Sequence, residues 1–209
     1  MICIIPARGG SKRLPGKNLK KLDGEYIINR VIQVARLSNI FEEIIVSTDS
    51  EEIRDIVRGA TVSMRPPEIS GDIAEDKVLK WTALEYWGLN ICRIYPFAAL
   101  LTCERLCKGY KEFITGKYEN VMECQKYGHP SQRALYLDVG YVHPDRIAVP
   151  TELLIPTYHD AATFMFSHTG SLDKPIAERN IKWIPVSEME AQDVDTQDDW
   201  DLLTAKFNY

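Results

Sequence analysis

The sequence lacks an apolar run long enough to span a membrane, and it carries more acidic than basic residues, with 30 Asp and Glu against 25 Lys and Arg. The formal net charge of -5 excludes the broad positive field on which general nucleic-acid and anionic-membrane binders depend. A local cluster of cations could still bind one phosphorylated ligand. The opening residues enter an apolar stretch without a basic leader, so we expect no secretory signal and a cytoplasmic location.

The sequence also lacks paired cysteines, because no two of its five cysteines form the C-x-x-C pair that indicates a zinc site. The scattered thiols are Cys3, Cys92, Cys103, Cys107 and Cys124. Their odd number and irregular spacing argue against a disulfide framework. We therefore expect reduced and mostly buried thiols.

Length and composition indicate one globular domain. The chain has 209 residues, of which 45% are hydrophobic and 26% charged, close to the averages for folded soluble domains. This length suffices for a substantial core, so we expect a single domain over residues 1–209.

Short β-branched segments alternate with helical patterns along the first half of the chain. The predicted strands are Ile2–Ile5, Ile44–Ser47, Thr61–Met64 and Ile91–Tyr95, and the predicted helices are Tyr26–Leu37, Glu51–Gly59, Ile73–Trp87 and Glu104–Ile114. This alternation is typical of an α/β fold with a mostly parallel sheet flanked by helices, in which ligands bind at the carboxyl ends of the strands.

The alternation of strand and helix patterns stops between residues 125 and 156, where His, Pro, Tyr and Asp cluster without a long helical pattern. We interpret this segment as an inserted arm or lid. Regular elements return at Phe164–Phe166 and Ile181–Val186, and the chain closes with a helix over Gln197–Phe207. Thr196 is its predicted N-cap, with Asp199 three residues later.

The strongest local motif follows the first strand, in residues 6–18, which hold four cations and three glycines. Glycines allow backbone N–H groups to approach oxyanions, while Arg8, Lys12 and Lys17 can distribute positive charge over a triphosphate. The spacing fits neither the Walker loop nor the dinucleotide pattern G-x-G-x-x-G. The motif predicts a phosphate cradle, and a solvated basic turn is the alternative.

The stretch IIPARGGSKRLPGKNL resembles the opening motif of the sialic-acid and KDO cytidylyltransferase family. The similarity continues through residues 47–50, 65–72 and 192–196. Blocks at residues 132–135 and 158–161 are most similar to members that activate pseudaminic acid. The resemblance implies a Rossmann-like nucleotidyltransferase fold with a dimerisation arm, a homodimer, and transfer of CMP from CTP to the anomeric hydroxyl of an acidic nine-carbon sugar.

The resemblance also implies roles for individual residues. It implies that the nucleotide is bound by Ala7, Arg8, Gly9, Gly10, Ser11, Lys12, Lys17, Asn18, Arg65 and Asp72. Arg8 and Lys17 are also members of the implied catalytic set. It implies that the sugar is bound by Gln132, Arg133, Tyr158, His159 and Asp160. A guanidinium such as that of Arg133 can bind a carboxylate through two parallel hydrogen bonds, although an ordinary surface arginine would look the same. His159 is equally explained as a structural residue.

Asp193 and Asp195 are the expected metal ligands and members of the catalytic set. Residues two apart in an extended segment project to the same side, so both carboxylates can face one Mg²⁺ or Mn²⁺ ion. The alternative is a pair of exposed aspartates that precede a capped helix and favour its dipole. For Asp49, in the sequence Ser-Thr-Asp-Ser, we favour a helix-capping role.

Several segments depart from the family pattern, namely Ala162–Thr163, residues 128–131 and residues 95–99. They leave the sugar open, so N-acetylneuraminic, legionaminic and 3-deoxy-octulosonic acids remain alternatives. A catalytically silent nucleotide-binding homologue would keep the glycine-rich loop and lose the acidic pair. A nucleic-acid-binding module would need a wider basic face than this acidic chain offers.

Overall fold

A computed structural model describes residues 1–71, 73–86 and 90–209. The strands are β1 (Ile2–Ala7), β2 (Lys21–Leu22), β3 (Glu25–Tyr26), β4 (Glu43–Thr48), β5 (Thr61–Met64), β6 (Asn90–Ile94), β7 (Asn120–Lys126), β8 (Leu135–Tyr136), β9 (Gly140–Tyr141), β10 (Tyr158–His168) and β11 (Ile181–Val186). The α-helices are α1 (Ile27–Leu37), α2 (Glu51–Ile56), α3 (Glu75–Glu85), α4 (Cys103–Phe113) and α5 (Gln197–Phe207).

The described residues form a seven-stranded sheet in the order β11-β7-β10-β6-β1-β4-β5. Only β10 runs antiparallel to its neighbours β6 and β7, while the other pairs are parallel. The predicted α/β fold with a mostly parallel sheet is therefore confirmed. The chain builds outward from β1 to β4 and β5, and then returns to place β6 on the other side of β1. This reversal creates a topological switch point between β1 and β6, where α/β proteins bind ligands.

Both faces of the sheet are covered by apolar side chains. One core includes Ile5, Val46, Ile94 and the buried stripe of α1, and the other includes Ile4, Ile45 and Leu79 of α3. In α1 the residues Ile28, Val31, Ile32 and Ala35 recur at helical spacing and are buried, which packs this helix against the sheet. Burial on both faces explains the nearly continuous apolar strands.

The segment predicted to be an arm is an excursion between the neighbouring strands β7 and β10. It contains the small β8–β9 hairpin and three short 3₁₀ turns, Ser131–Arg133, Pro144–Arg146 and Thr151–Leu153. The sequence did not predict β7, and it predicted only Phe164–Phe166 of the eleven-residue strand β10. Trp87, the predicted end of the third helix, lies outside the described residues.

The remaining expectations about ends and thiols hold. Thr196 accepts a hydrogen bond from the Asp199 backbone, and the Asp199 carboxylate accepts one from the Thr196 backbone, which completes a capping box. The five cysteines are free, and Cys3, Cys92 and Cys124 are buried. Within the part of the chain that the structure describes, no helix is both long and apolar enough to cross a membrane.

Candidate active site

A cleft of about 260 Å³ opens at the switch point between the ends of β1 and β6. From the predicted phosphate cradle it is lined by Arg8, Lys17 and Asn18, and Arg65 approaches from the segment after β5. The carboxyl ends of neighbouring strands thus bring together residues that are far apart in sequence. Asp72, also assigned to the nucleotide, lies outside the described residues.

The glycine-rich loop is held in place by Asp49, which follows β4. The Asp49 carboxylate accepts hydrogen bonds from the backbone N–H groups of Gly9 at 2.7 Å and Gly71 at 3.1 Å. Its Oδ1 lies 3.8 Å from Nη2 of Arg65. Burial raises the pKa of Asp49, but the two N–H groups and the Arg65 charge outweigh burial and leave that pKa below its ordinary value. The carboxylate therefore ties the glycine-rich loop to the segment that holds Arg65 and Gly71.

This arrangement corrects our interpretation of Asp49 as a helix cap. Ser50 caps α2, because its side chain accepts the backbone N–H of Ile53 at 3.3 Å. Ser50 also explains why residue 9 is a glycine, since a Cβ there would lie 2.8 Å from the Cβ of Ser50. The loop needs a glycine at this position because it passes so close to the start of α2.

Lys17 and Asn18 sit at the turn that ends the loop. Gly16 adopts φ 66°, a left-handed conformation that favours glycine. The Asn18 side chain is buried and donates to the backbone oxygen of Arg8 at 2.9 Å. This bond fixes the backbone of Arg8, the residue that follows β1, so Asn18 holds the start of the loop in place.

The other residues assigned to the cradle are placed less directly. The Ala7 side chain is buried in the core, so only its backbone is available to a ligand. Gly10 and Lys12 are exposed, and Ser11 is half-buried. None of these four residues lines the cleft.

Lys17 connects the loop to the acidic pair. Its Nζ donates to the backbone oxygen of Val194 at 2.6 Å and lies 3.2 Å from Oδ1 of Asp195. Arg13 contacts the second oxygen of Asp195 at 2.6 Å. The fold thus joins two motifs that the sequence separates by almost the whole chain.

The pKa of Asp193 is raised, first because surrounding protein reduces its solvation and second because the neighbouring Asp195 carboxylate repels its charge. Lys17 opposes both effects. Two hard oxygen donors that repel each other at short range suit a divalent cation, which commonly completes its shell with waters and substrate phosphates. No group of three or more His, Cys, Asp or Glu side chains in residues 1–71, 73–86 and 90–209 could hold a metal. Both Asp195 oxygens already contact cations, those of Lys17 and Arg13, and a magnesium site formed by the two carboxylates stays a prediction.

Arg65 is almost entirely buried, and its Nε and Nη2 atoms have no hydrogen-bond partner among the described residues. Burial lowers its pKa, Asp49 opposes that change, and the nearby Arg8 adds to it. An arginine with unused donors at the wall of a cleft is well suited to an anionic or carbonyl-bearing ligand.

The cleft is also lined by residues that the motifs did not assign, among them Glu75, Tyr95 and Phe97. Burial raises the pKa of Tyr95 to about 12; Arg93 opposes that shift, and Glu75, Asp160 and Asp193 add to it. The sequence offers a signal for them, because Tyr95 is the last residue of a predicted strand and Phe97 lies two positions later. The family pattern marks residues 95–99 only as a departure.

The sugar-assigned residues do not converge on this cleft. Gln132 donates to the Ile155 backbone oxygen at 2.8 Å, and Arg133 donates to that of Val149 at 2.8 Å. Both bonds lie within the arm and hold its turns together. Tyr158 is exposed at the start of β10.

His159, on the same strand, lies near Asp193. A second hollow, of about 280 Å³, is lined by both His159 and Asp193 together with Tyr127, whose ring centroid lies 4.8 Å from that of His159. Asp160 accepts the backbone N–H of Ala162 at 2.8 Å, where Ala162 has φ 52° and the pairing of β10 with β7 is irregular. Asp160 therefore stabilises a bulge in the strand that borders the site.

Comparisons with known proteins show what this chain is similar to. A family model described as cytidylyltransferase matches residues 2–101. Pseudaminic acid cytidylyltransferase of Campylobacter jejuni serotype O:2 is 33% identical over 178 residues, which cover 79% of this chain and 77% of that protein. N-acylneuraminate cytidylyltransferase of Streptococcus agalactiae serotype V is 52% identical over 77 residues, 35% of this chain and 19% of that protein.

Among solved structures, CMP:2-keto-3-deoxy-manno-octonic acid synthetase complexed with CTP superposes with a TM-score of 0.76. It covers 99% of this chain and 98% of its own, at 16% sequence identity. At that identity the likeness establishes the fold alone.

Proposed function

Because the chain belongs to the cytidylyltransferase family of CMP-sialic acid and CMP-KDO synthetases, we propose that it transfers CMP from CTP to the anomeric hydroxyl of a nonulosonic acid. The anomeric oxygen bonds to the α-phosphorus, the bond from that phosphorus to the bridging oxygen breaks, and pyrophosphate leaves while the hydroxyl proton passes to solvent. The contact between Lys17 and Asp195 carries this proposal, because it joins the phosphate cradle to the acidic pair.

In this scheme Arg8 and Lys17 bind the phosphates, and Arg65 with its unused donors binds the nucleotide from the opposite wall. Asp193 and Asp195 would hold a divalent cation. Such an ion neutralises charge on the phosphates and lowers the pKa of a bound hydroxyl. Asp49 keeps the loop and the Arg65 segment at a fixed separation.

We propose pseudaminic acid as the preferred sugar. The support is the 33% identity over most of the chain to an enzyme named for that substrate. The N-acylneuraminate relative matches a shorter stretch, and it makes N-acetylneuraminic acid the first alternative. Legionaminic and 3-deoxy-octulosonic acids complete the comparison.

One assay tests both levels of this proposal. The protein is incubated with magnesium, each of the four nucleoside triphosphates and each sugar acid, and pyrophosphate release is followed. We expect release only with CTP and a nonulosonic acid, and the highest kcat/KM with pseudaminic acid. Release with another sugar acid would change the substrate and leave the reaction class intact. No release with CTP and any sugar acid would contradict the reaction itself.

We also propose that two copies associate through the arm. The β8–β9 hairpin exposes large apolar side chains, with Leu137 94% and Val139 83% exposed. Exposed apolar surface of this kind is typical of protein interfaces. A second copy of the chain is the partner that this proposal names.

A further inference from the structure

A line of cations and aromatic rings runs from the interior of the sheet to Lys17. The guanidinium of Arg93 lies 3.8 Å from the centroid of the Tyr95 ring. The Tyr95 and Phe97 rings are stacked, with centroids 5.1 Å apart and an interplanar angle of 16°. Nζ of Lys17 lies 4.0 Å from the centroid of the Phe97 ring. These four residues are called the Arg93–Lys17 stack below.

Arg93 is an unusual residue for its position. It lies on β6 in the centre of the sheet and is 1% exposed. Within residues 1–71, 73–86 and 90–209 its Nε and Nη1 atoms have no hydrogen-bond partner, and Nη1 lies 3.5 Å from the Glu75 carboxylate. Burying a cation this incompletely satisfied costs free energy, and well-packed apolar residues often stabilise such a site better. Stability alone therefore does not account for Arg93.

The aromatic pair offers a reason. The face of an aromatic ring is negative, so each ring attracts a cation placed over it. The Arg93 guanidinium lies over the Tyr95 ring, and the Lys17 ammonium lies over the Phe97 ring. The two rings stack on each other. Arg93 fixes the Tyr95 ring from the buried side, and Tyr95 limits the positions open to Phe97.

The Phe97 ring helps to fix the conformation of the Lys17 side chain. A lysine side chain is long and flexible, and ordering it costs conformational entropy. Its Nζ already contacts Val194 and Asp195, and the Phe97 ring covers it from a further direction. The side chain is 13% exposed, so the ammonium is held at the cleft before any ligand arrives. Such pre-organisation favours binding because less order is lost on association.

We propose that Arg93, Tyr95 and Phe97 are positioning residues that set the location of the Lys17 ammonium for the phosphates of CTP. This inference rests on the proposed role of Lys17 in the transfer. Arg93 acts through the two rings and does not contact the substrate. The competing explanation is that Phe97 only fills the apolar cluster of Leu14, Ile27 and Leu203.

The test uses the full chain with the substitutions Phe97→Leu, Phe97→Tyr, Arg93→Met and the double variant Arg93→Met/Phe97→Leu. Phe113→Leu is the matched control, because Phe113 is equally buried and packs on the side of the sheet near Phe166. CTP affinity is measured by calorimetry without sugar, kinetics are measured with both substrates, and thermal unfolding reports stability.

We expect Phe97→Leu and Arg93→Met each to lower CTP affinity and kcat/KM for CTP by about tenfold, the size of a partly buried cation–π contact. KM for the sugar acid should stay within about twofold of wild type, because only nucleotide contacts change. Phe97→Tyr keeps the ring face and should retain wild-type CTP affinity. The double variant should also lose about tenfold, and not a hundredfold, because both changes break one stack.

The outcomes separate this inference from the proposed function. Wild-type CTP affinity in both Phe97→Leu and Arg93→Met would overturn the stack, as would equal losses in Phe97→Tyr and Phe97→Leu. If Phe113→Leu lowers CTP affinity as much as Phe97→Leu does, Phe97 acts only through core packing and the proposal is wrong. Wild-type protein that releases no pyrophosphate under any condition would instead contradict the proposed reaction.

Discussion

The Asp49 carboxylate accepts the backbone N–H of Gly9 at 2.7 Å, although forty residues separate the two in sequence. The same carboxylate accepts Gly71 at 3.1 Å and lies near Arg65. One side chain therefore connects the glycine-rich loop to the segment that holds Arg65 and Gly71.

Asp49→Asn should lower the free energy of unfolding at neutral pH by about 1–3 kcal/mol, the range for hydrogen bonds to a charged group. The pKa of Asp49 is depressed in the folded protein, so its contribution is present above the unfolded pKa of about 4 and is lost as pH falls through the folded pKa. Urea denaturation of both proteins from pH 7 to pH 3 measures the difference. A difference that stays constant down to pH 3 would show that the charge of Asp49 is not the cause.

Lys17→Ala should greatly reduce CTP affinity and turnover while the protein remains folded, because Nζ is proposed to neutralise phosphate. Lys21→Ala is the control, since this exposed lysine near the same loop lies over Tyr26 and outside the cleft. Arg8→Lys should also reduce activity, because an ammonium cannot reproduce a planar guanidinium. Calorimetry with CTP and steady-state kinetics provide the measurements. Equal CTP affinity in Lys17→Ala and Lys21→Ala would remove Lys17 from the phosphate site.

Asp193→Asn and Asp195→Asn should each lower turnover by about 10²-fold, which corresponds to roughly 3 kcal/mol of transition-state stabilisation. Added magnesium should restore part of the activity if weaker metal binding is the cause. The double variant should be little worse than the worse single variant, because ligands of one ion act as a unit. Small, additive and magnesium-independent losses would identify these residues as aspartates of a helix start.

Arg105→Met should lower the free energy of unfolding by about 3–5 kcal/mol, because it leaves the Glu123 carboxylate, which is 1% exposed, without its cation. Thr163 donates to the same carboxylate at 2.7 Å and cannot replace the charge. Lys174→Met removes the partner of the more exposed Glu119 and should cost about 1 kcal/mol or less. Similar urea midpoints for the two variants would show that the buried pair contributes no more than the surface pair.

Leu137→Asp should weaken self-association if the arm joins two copies, because it places a charge on the most exposed large apolar residue of the hairpin. Leu84→Asp introduces the same charge at an exposed leucine of α3 and should leave the assembly unchanged. Light scattering after size-exclusion chromatography gives the mass of each variant. A monomeric wild-type protein, or a dimer in Leu137→Asp, would contradict the proposed interface.

Strand β7 shows why part of the fold could not be predicted from the sequence. Its residues Asn120, Glu123 and Gln125 are polar, yet all three are buried. Glu123 is paired with Arg105, and the Gln125 amide donates to the Ser187 and Ala191 backbone oxygens at 3.0 Å each. These partners come from distant segments, so the local pattern gives no sign that polar groups will be satisfied inside the sheet.

The sequence by itself determined the alternation of strands and helices in the first half of the chain, the capped final helix and the glycine-rich loop, because hydrophobic period, capping residues and glycine chemistry act over a few neighbouring positions. Tertiary structure alone decided that Lys17 meets Asp195 across 178 positions, that Asp49 ties down the loop, and that Lys17 lies over the Phe97 ring. The last of these contacts depends on the crossover that sets β6 beside β1. The direction of a crossover is a property of the packed sheet, and no short stretch of sequence encodes it.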